Sequence, residues 1–114
     1  MEYALFSLPI GSGKTDAARR FLQELEGARK PAYAESEKRL GITKELWAIQ
    51  HTPNGDVFAV FFEGQDIAGA VGTFVASQDE FDQWFKRQVL DVTGVDINQL
   101  PPGPLSEVLS VYEA

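Results

Sequence analysis

The chain has 114 residues, of which 44% are apolar, and its 10 basic and 17 acidic side chains give a formal net charge of −7. This length predicts one domain over residues 1–114, with a core that needs no covalent crosslinks. The lack of cysteine excludes disulfides and thiolate metal sites, the single histidine disfavours histidine-rich metal sites, and the negative charge opposes binding to nucleic acid or anionic membranes.

The N-terminal residues 1–6 lack the basic and long apolar regions of a secretory signal. The longest apolar run covers residues 57–62, which is far short of the roughly 20 residues that cross a bilayer. We therefore expect a cytoplasmic protein without a transmembrane segment. No residue spacing indicates a metal ion or another cofactor.

The first third of the chain predicts a strand and a broken helix. Residues 3–8 are short, aromatic and apolar and end at Pro9, which is typical of a buried strand. Apolar residues then recur at helical spacing from Ser12, a possible cap, to Gly27. A second helical segment begins near Pro31 and ends at Gly41. One face of this segment carries Tyr33, Glu37 and Leu40.

The middle of the chain predicts a β-hairpin. Residues 45–51 and 57–63 have strand character, and Asn54-Gly55 lies between them. An Asn-Gly pair between two apolar runs favours a tight turn. The two strands should therefore be antiparallel neighbours.

The last third of the chain predicts a helix and a fourth strand. A short apolar segment at 67–74 leads to a capping box at 77–80, which opens a helix that ends at Gly94. The Pro-rich residues 101–104 indicate a loop, and the weak alternation at 105–112 indicates a strand.

The element order βαββαβ predicts an α+β fold of the ferredoxin-like kind, with a four-stranded antiparallel sheet and both long helices on one face. The alternative is another small α+β sandwich with a different strand order. Residues 57–62 are apolar on both faces of the third strand, so the face without helices also needs cover. A second copy of the sheet would supply it in a homodimer; alternatively, the Pro-rich loop covers this face.

Four motifs carry a resemblance to a known family. They are Pro-Ile-Gly-Ser-Gly-Lys at 9–14, Gly-Ile at 41–42 with Glu45 and Trp47, Phe-Asp-Gln-Trp-Phe-Lys at 81–86, and Thr-Gly-Val-Asp at 93–96. Over nearly its whole length the chain resembles small uncharacterised proteins of the dimeric α/β-barrel superfamily. The resemblance implies a ferredoxin-like protomer that pairs through its sheet into a barrel-like dimer, but it implies no reaction. Better-known members are cofactor-free monooxygenases, haem-degrading enzymes and small-molecule isomerases, whose functional residues do not map onto this sequence.

The run Gly-Ser-Gly-Lys-Thr at 11–15 is similar to a phosphate-binding loop because it lies between a strand and a helix. The motif needs a glycine five residues before Gly13, and that position holds Leu8. We interpret the run as a turn and helix start, so the protein is not predicted to be a P-loop NTPase. A weak anion site is the most that it could form, with Ser12, Gly13 and Lys14 as candidates.

The candidate ligand-binding residues are Tyr33, Glu45, Trp47 and His51. His51 is the only side chain with an ordinary pKa near neutrality, and it shares one side of its strand with Trp47. It could act as a base in a cavity or lie solvated at the strand end. The remaining acidic groups are predicted to be solvated, including Glu35, Glu37, Asp79, Glu80 and Asp82.

Two classes of function follow. The first is a homodimeric small-molecule-binding or interaction module that holds a small apolar or aromatic ligand. The alternative is a cofactor-independent enzyme of the monooxygenase or isomerase kind, with His51 as its base. We favour the binding module because catalysis needs several polar groups that converge on one cavity, and few candidates are present.

Overall fold

Three strands form one antiparallel sheet in the computed structural model, which describes residues 1–100 and 106–114. The strands are β1 (Glu2–Pro9), β2 (Ile42–Thr52) and β3 (Gly55–Gly64). Their order is β1-β3-β2, so the hairpin strand β3 lies in the centre. Gly55 closes the hairpin with a φ of 119°, a conformation that favours glycine. All three strands lie where the sequence predicts them.

Four helices and a short 3-10 turn complete the described structure. They are α1 (Thr15–Glu26), α2 (Lys30–Leu40), α3 (Ile67–Ala76), α4 (Glu80–Thr93) and the turn Ile97–Gln99. The left-handed glycines Gly41 and Gly94 end α2 and α4, as predicted. Asp79 begins α4 by accepting hydrogen bonds from the backbone amides of Phe81 and Asp82. No helix in the described ranges is long and apolar enough to cross a bilayer.

The predicted ferredoxin-like βαββαβ fold is wrong. In the described residues the order is β1, α1, α2, β2, β3, α3, α4, with three strands in the sheet instead of four. The four-stranded protomer that the family resemblance implied is therefore not observed. The class remains α+β, and the two corrections concern the C-terminal tail and the segment before α4.

The C-terminal tail contacts β1 without forming a strand in residues 106–114. The Ser106 hydroxyl accepts a hydrogen bond from the Leu5 amide at 2.8 Å and donates one to the Leu5 carbonyl. Leu109 and Tyr112 are 83% and 89% exposed, so no apolar face holds the tail in a strand register. The Pro-rich loop expected at 101–104 and the first residue of the expected strand lie outside the described residues.

The apolar segment before α4, for which the sequence predicted neither a helix nor a strand, forms the helix α3. Ile67, Ala70 and Phe74 follow one another at spacings of three and four, which places them on one helix face. The Asp66 carboxylate caps the helix by accepting a hydrogen bond from the Gly69 amide at 2.9 Å. The structure thus has one more helix than predicted, and the fourth strand is not formed in residues 106–114.

An aromatic cluster around Phe21 of α1 joins the helices to one face of the sheet. The ring of Phe21 lies with its centroid 5.0 Å from Phe85, 5.6 Å from Trp84 and 6.0 Å from Trp47. Edge-to-face contacts of this kind add to the free energy that burial contributes. The cluster fixes α1 and α4 against the middle of the sheet.

The opposite face of the sheet carries an uncovered apolar row. In the strand register Phe61 lies between Leu5 of β1 and Leu46 of β2. Leu5 and Leu46 are 60% and 54% exposed, whereas Phe58, on the helix-covered face, is fully buried. We call Leu5, Phe61 and Leu46 the open-face row.

A buried carboxylate ties α2 to α4. Asp82 is only 1% exposed, although the sequence predicts it as a solvated acid. It accepts hydrogen bonds from the hydroxyls of Ser36 at 2.5 Å and Ser77 at 2.6 Å, and it pairs with Arg39 at 3.4 Å. Arg39 supplies a positive charge and the two serine hydroxyls supply hydrogen bonds, which is why Asp82 can be buried.

The Asp82 contacts predict a large effect on stability. Asp82→Ala leaves the Ser36 and Ser77 hydroxyls without their acceptor, and we expect the free energy of unfolding to fall by about 2–4 kcal/mol. Glu80→Ala, at an exposed position of the same helix, should cost about 0.5 kcal/mol or less. Urea unfolding followed by circular dichroism measures both values. Equal losses in the two variants would contradict the assigned role of Asp82.

Candidate functional site

A cavity of about 230 Å³ lies between the helix-covered face of the sheet and the helices α2, α3 and α4. Most of its wall is aromatic or aliphatic. The aromatic lining residues are Phe6, Tyr33, Trp47, Phe62, Phe74, Phe81 and Phe85. Two carboxyl groups, those of Glu37 and Glu45, also line it.

The polar groups of the cavity meet at Glu45. The Tyr33 hydroxyl donates a hydrogen bond to Glu45 Oε2 at 2.6 Å, and the Trp47 indole N–H donates to the same oxygen at 2.8 Å. The carboxyl group of Glu37 forms a hydrogen bond with that of Glu45. Glu45 is therefore held by three neighbouring side chains. We call Tyr33, Glu37, Glu45 and Trp47 the carboxyl cluster.

Local geometry explains why these residues meet. Tyr33 and Glu37 are four residues apart on α2, so they lie on the same helix face. Glu45 and Trp47 are two residues apart on β2, so they point to the same side of the sheet. Gly41 ends the helix and starts the strand almost at once, which brings the two pairs together.

Burial governs the protonation of the carboxyl cluster. It raises the pKa of Glu37 from 4.5 to about 9, and the charge of Glu45 adds to this effect. Burial also raises the pKa of Glu45, but the hydrogen bonds from Tyr33, Trp47 and Glu37 oppose that rise. The contact between the two carboxyl groups raises the pKa of Glu37 and opposes the rise in the pKa of Glu45, so a proton shared by the pair resides on Glu37. Burial raises the pKa of Tyr33 too, so its phenol remains a donor.

No cationic side chain pairs with the carboxyl cluster within the described structure. In residues 1–100 and 106–114 neither Glu37 nor Glu45 forms an ion pair, and residues 101–105 contain no charged side chain. Nor does the described part contain a group of three or more His, Asp or Glu side chains placed to hold a metal ion. The cavity thus combines apolar walls with a pair of carboxyl groups that have no cationic partner in the described residues.

The structure brings three of the four ligand-binding candidates together. Tyr33, Glu45 and Trp47 line the cavity, whereas His51 does not. The His51 side chain is 66% exposed at the end of β2, with its Nδ1 atom 2.6 Å from Asp56 Oδ1. The sequence correctly places His51 beside the hairpin turn, but the strand carries it past the cavity.

The Gly-Ser-Gly-Lys-Thr run forms a turn that is bound to the end of α4. The Gly11 amide donates to the Val92 carbonyl at 2.8 Å, and Lys14 Nζ donates to the Asp91 carbonyl at 2.7 Å. Ser12 and Gly13 are exposed, and Gly13 has a φ of 77°. The ammonium that would face an anion is thus engaged with a helix end, and α1 begins only at Thr15.

Glu37 lines the cavity, although the sequence predicts it as a solvated acid. The signal for a buried position was present, because Glu37 lies on the same helix face as Tyr33 and Leu40. All three residues line the cavity. An acidic residue between two apolar residues at helical spacing indicates a carboxyl group that faces the interior.

Comparison of the chain with protein-family models, with curated proteins and with solved structures finds no match. The resemblance to the dimeric α/β-barrel superfamily therefore has only the sequence motifs behind it.

The raised pKa of Glu37 predicts a pH-dependent stability. Between pH 4.5 and 9 the folded state holds a proton on Glu37 that the unfolded chain has lost. The free energy of unfolding should therefore fall as pH rises, by up to about 1.4 kcal/mol per pH unit from this group. Glu37→Gln should flatten that slope because glutamine stays neutral. Urea unfolding at pH 5.5, 7 and 8.5 measures it.

The matched control is Glu35→Gln on the exposed side of the same helix, which should keep the wild-type slope. A Glu37→Gln slope equal to that of the wild type would show that Glu37 is ionised in the folded protein.

Proposed function

We propose that this protein binds a small, mainly apolar organic molecule in the cavity between the sheet and α2, α3 and α4. The observation that carries the proposal is the contrast between the aromatic walls and the polar groups gathered at Glu45. Small-molecule sites in proteins have this composition, since apolar walls supply affinity and a few placed polar groups supply orientation.

The size of the cavity supports the proposal. The cavity offers about 230 Å³ of space along an apolar wall, where side chains lack the packing contacts that a closely packed core provides. The neighbouring core around Phe21 is closely packed, with ring centroids 5.0 to 6.4 Å apart. A ligand would restore the contacts that the cavity lacks.

A cofactor-independent isomerase is the second candidate, and the pairing of Glu37 with Glu45 favours it. A carboxylate beside a neutral carboxylic acid can remove a proton from a ligand and return one. Glu45 would be the base, since His51 lies outside the cavity. Three hydrogen bonds to Glu45 weaken it as a base, which is why binding is the preferred proposal. An isomerase would exchange a C–H proton of its ligand with solvent deuterium, and a binding protein would not.

We also propose that the protein is a homodimer in which a second copy covers the open-face row. Leu5 and Leu46 would each leave water in such a contact, on either side of Phe61. Burying this area stabilises association at about 25 cal/mol per Å² before the costs of association. A two-fold axis through the open-face row would place the row of one copy against the same row of the other copy.

Filling the cavity should abolish ligand binding. Val71 lines the cavity from α3, and Val71→Phe should occupy the space that a ligand needs. With the neutral aromatic alcohol 1-naphthylmethanol as probe, the wild type should gain several degrees in melting temperature at millimolar probe, and Val71→Phe should gain none. Ala68→Phe, on the exposed side of the same helix, is the control and should respond like the wild type. A wild-type protein that shows no response contradicts the proposal.

A charge in the open-face row should dissociate the dimer. Leu46→Lys should sediment as a single chain at micromolar concentration, because pairing would bury the lysine ammonium. It should remain folded, since Leu46 is 54% exposed in the single chain. Gln23→Lys, on the exposed surface of α1, should leave the dimer intact. A wild-type sedimentation mass of one chain would rule out the dimer.

A further inference from the structure

We propose that the cavity selects organic cations, that is, molecules with one ammonium group on an aromatic or aliphatic body. This inference rests on the proposed binding function and adds the charge of the ligand to it. It begins from the three groups that hold Glu45. Tyr33, Trp47 and Glu37 are all hydrogen-bond donors without positive charge. They orient the carboxylate and satisfy its oxygens, but they do not neutralise it.

A carboxylate in an apolar cavity is unfavourable without a counter-charge. Lys44, beside Glu45 in the chain, is exposed and does not line the cavity, and Lys38, beside Glu37, pairs with Glu35 at 3.5 Å. Arg39 pairs with Asp79 at 2.9 Å, and Arg29 pairs with Glu24 at 2.9 Å and lies over the ring of Trp84. In the described structure no lysine or arginine lines the cavity. A cationic ligand would supply the missing charge.

The aromatic walls suit a cation better than they suit a neutral polar group. The ring of Phe85 lies with its centroid 5.6 Å from that of Trp47 and 6.5 Å from that of Tyr33. These three rings therefore surround the space next to Glu45. An ammonium that contacts the carboxylate would also meet ring faces, which attract cations.

The same geometry argues against a metal ion. Calcium takes six to eight oxygen ligands, and magnesium takes six, most of them waters. The cavity offers two carboxyl groups that already bond to each other, and the other side chains around them are mainly apolar. An organic cation needs only one carboxylate and carries its own apolar surface.

The number of charges follows from the shared proton. A hydrogen bond between the carboxyl groups of Glu37 and Glu45 requires at least one proton, so together they carry at most one negative charge. The carbonyl oxygen of a protonated Glu37 can accept an N–H of the ligand. A monocation therefore matches the site, whereas a dication would have to displace the proton.

Calorimetry at pH 7 with two probes of nearly equal shape tests the inference. The probes are 1-naphthylmethylamine, as its ammonium ion, and 1-naphthylmethanol. The wild type should bind the amine at least tenfold more tightly than the alcohol. Glu45→Gln should remove this preference and keep the affinity for the alcohol, since glutamine retains the shape but not the charge.

A second variant keeps the test decisive if Glu45→Gln does not fold. Glu37→Lys places an ammonium of the chain beside Glu45, so it should abolish the preference for the amine. Glu35→Lys makes the same change in net charge on the exposed side of α2 and should keep the preference.

Three results would overturn the inference. Equal affinity of the wild type for both probes would leave the binding function standing and remove the selectivity for cations. If Glu35→Lys also lost the preference for the amine, that preference would come from the overall charge of the protein and not from Glu45. Failure of both probes to bind would overturn the binding function together with the inference.

Discussion

The carboxyl group of Glu45 is buried among apolar side chains, and the hydrogen bonds that stabilise it there connect α2 to β2. Its partners come from both elements, since Tyr33 and Glu37 lie on the helix and Trp47 lies on the strand. Gly41 makes the connection short enough for the two elements to share one polar cluster. Because each partner is itself half-buried, moving α2 away from β2 would leave several polar groups without hydrogen bonds at once. The walls of the cavity are thereby fixed at the end where the polar groups lie.

Asp82 is also a buried acid, but its partners differ from those of Glu45. It is as deeply buried as the apolar core, yet Arg39 and two serine hydroxyls compensate its charge. In the described residues, Glu45 receives hydrogen bonds from Tyr33 and Trp47 but has no ion-pair partner. Asp82 therefore joins α2 to α4 through partners within the chain, whereas in our proposal the counter-charge of Glu45 comes from a ligand.

The parts of the fold that could be predicted from sequence are those set by local chemistry. Asn54-Gly55 specifies the hairpin, and Gly94 ends α4, because each acts within a few residues. The C-terminal tail could not be predicted in this way, since a weak alternation does not tell whether a sheet edge will accept the segment. Glu45 and Trp47 could be predicted because strand alternation places them on one side of β2, and Tyr33 because a buried hydroxyl needs a hydrogen-bond partner. Glu37 and Asp82 were placed in solvent because burial of an acid depends on partners from other elements, such as Ser36 for Asp82.

The contact between Ser106 and Leu5 bears on how the chain behaves at high concentration. β1 lies at an edge of the sheet, and edge strands offer unpaired amides and carbonyls to strands of other molecules. The Ser106 hydroxyl occupies both the amide and the carbonyl of Leu5, in the middle of that edge. Pro9, at the end of the same strand, has no amide hydrogen to offer. A foreign strand would have to displace the serine before it could pair along β1, so a tail that adds nothing to the sheet still protects the protein from aggregation through its edge.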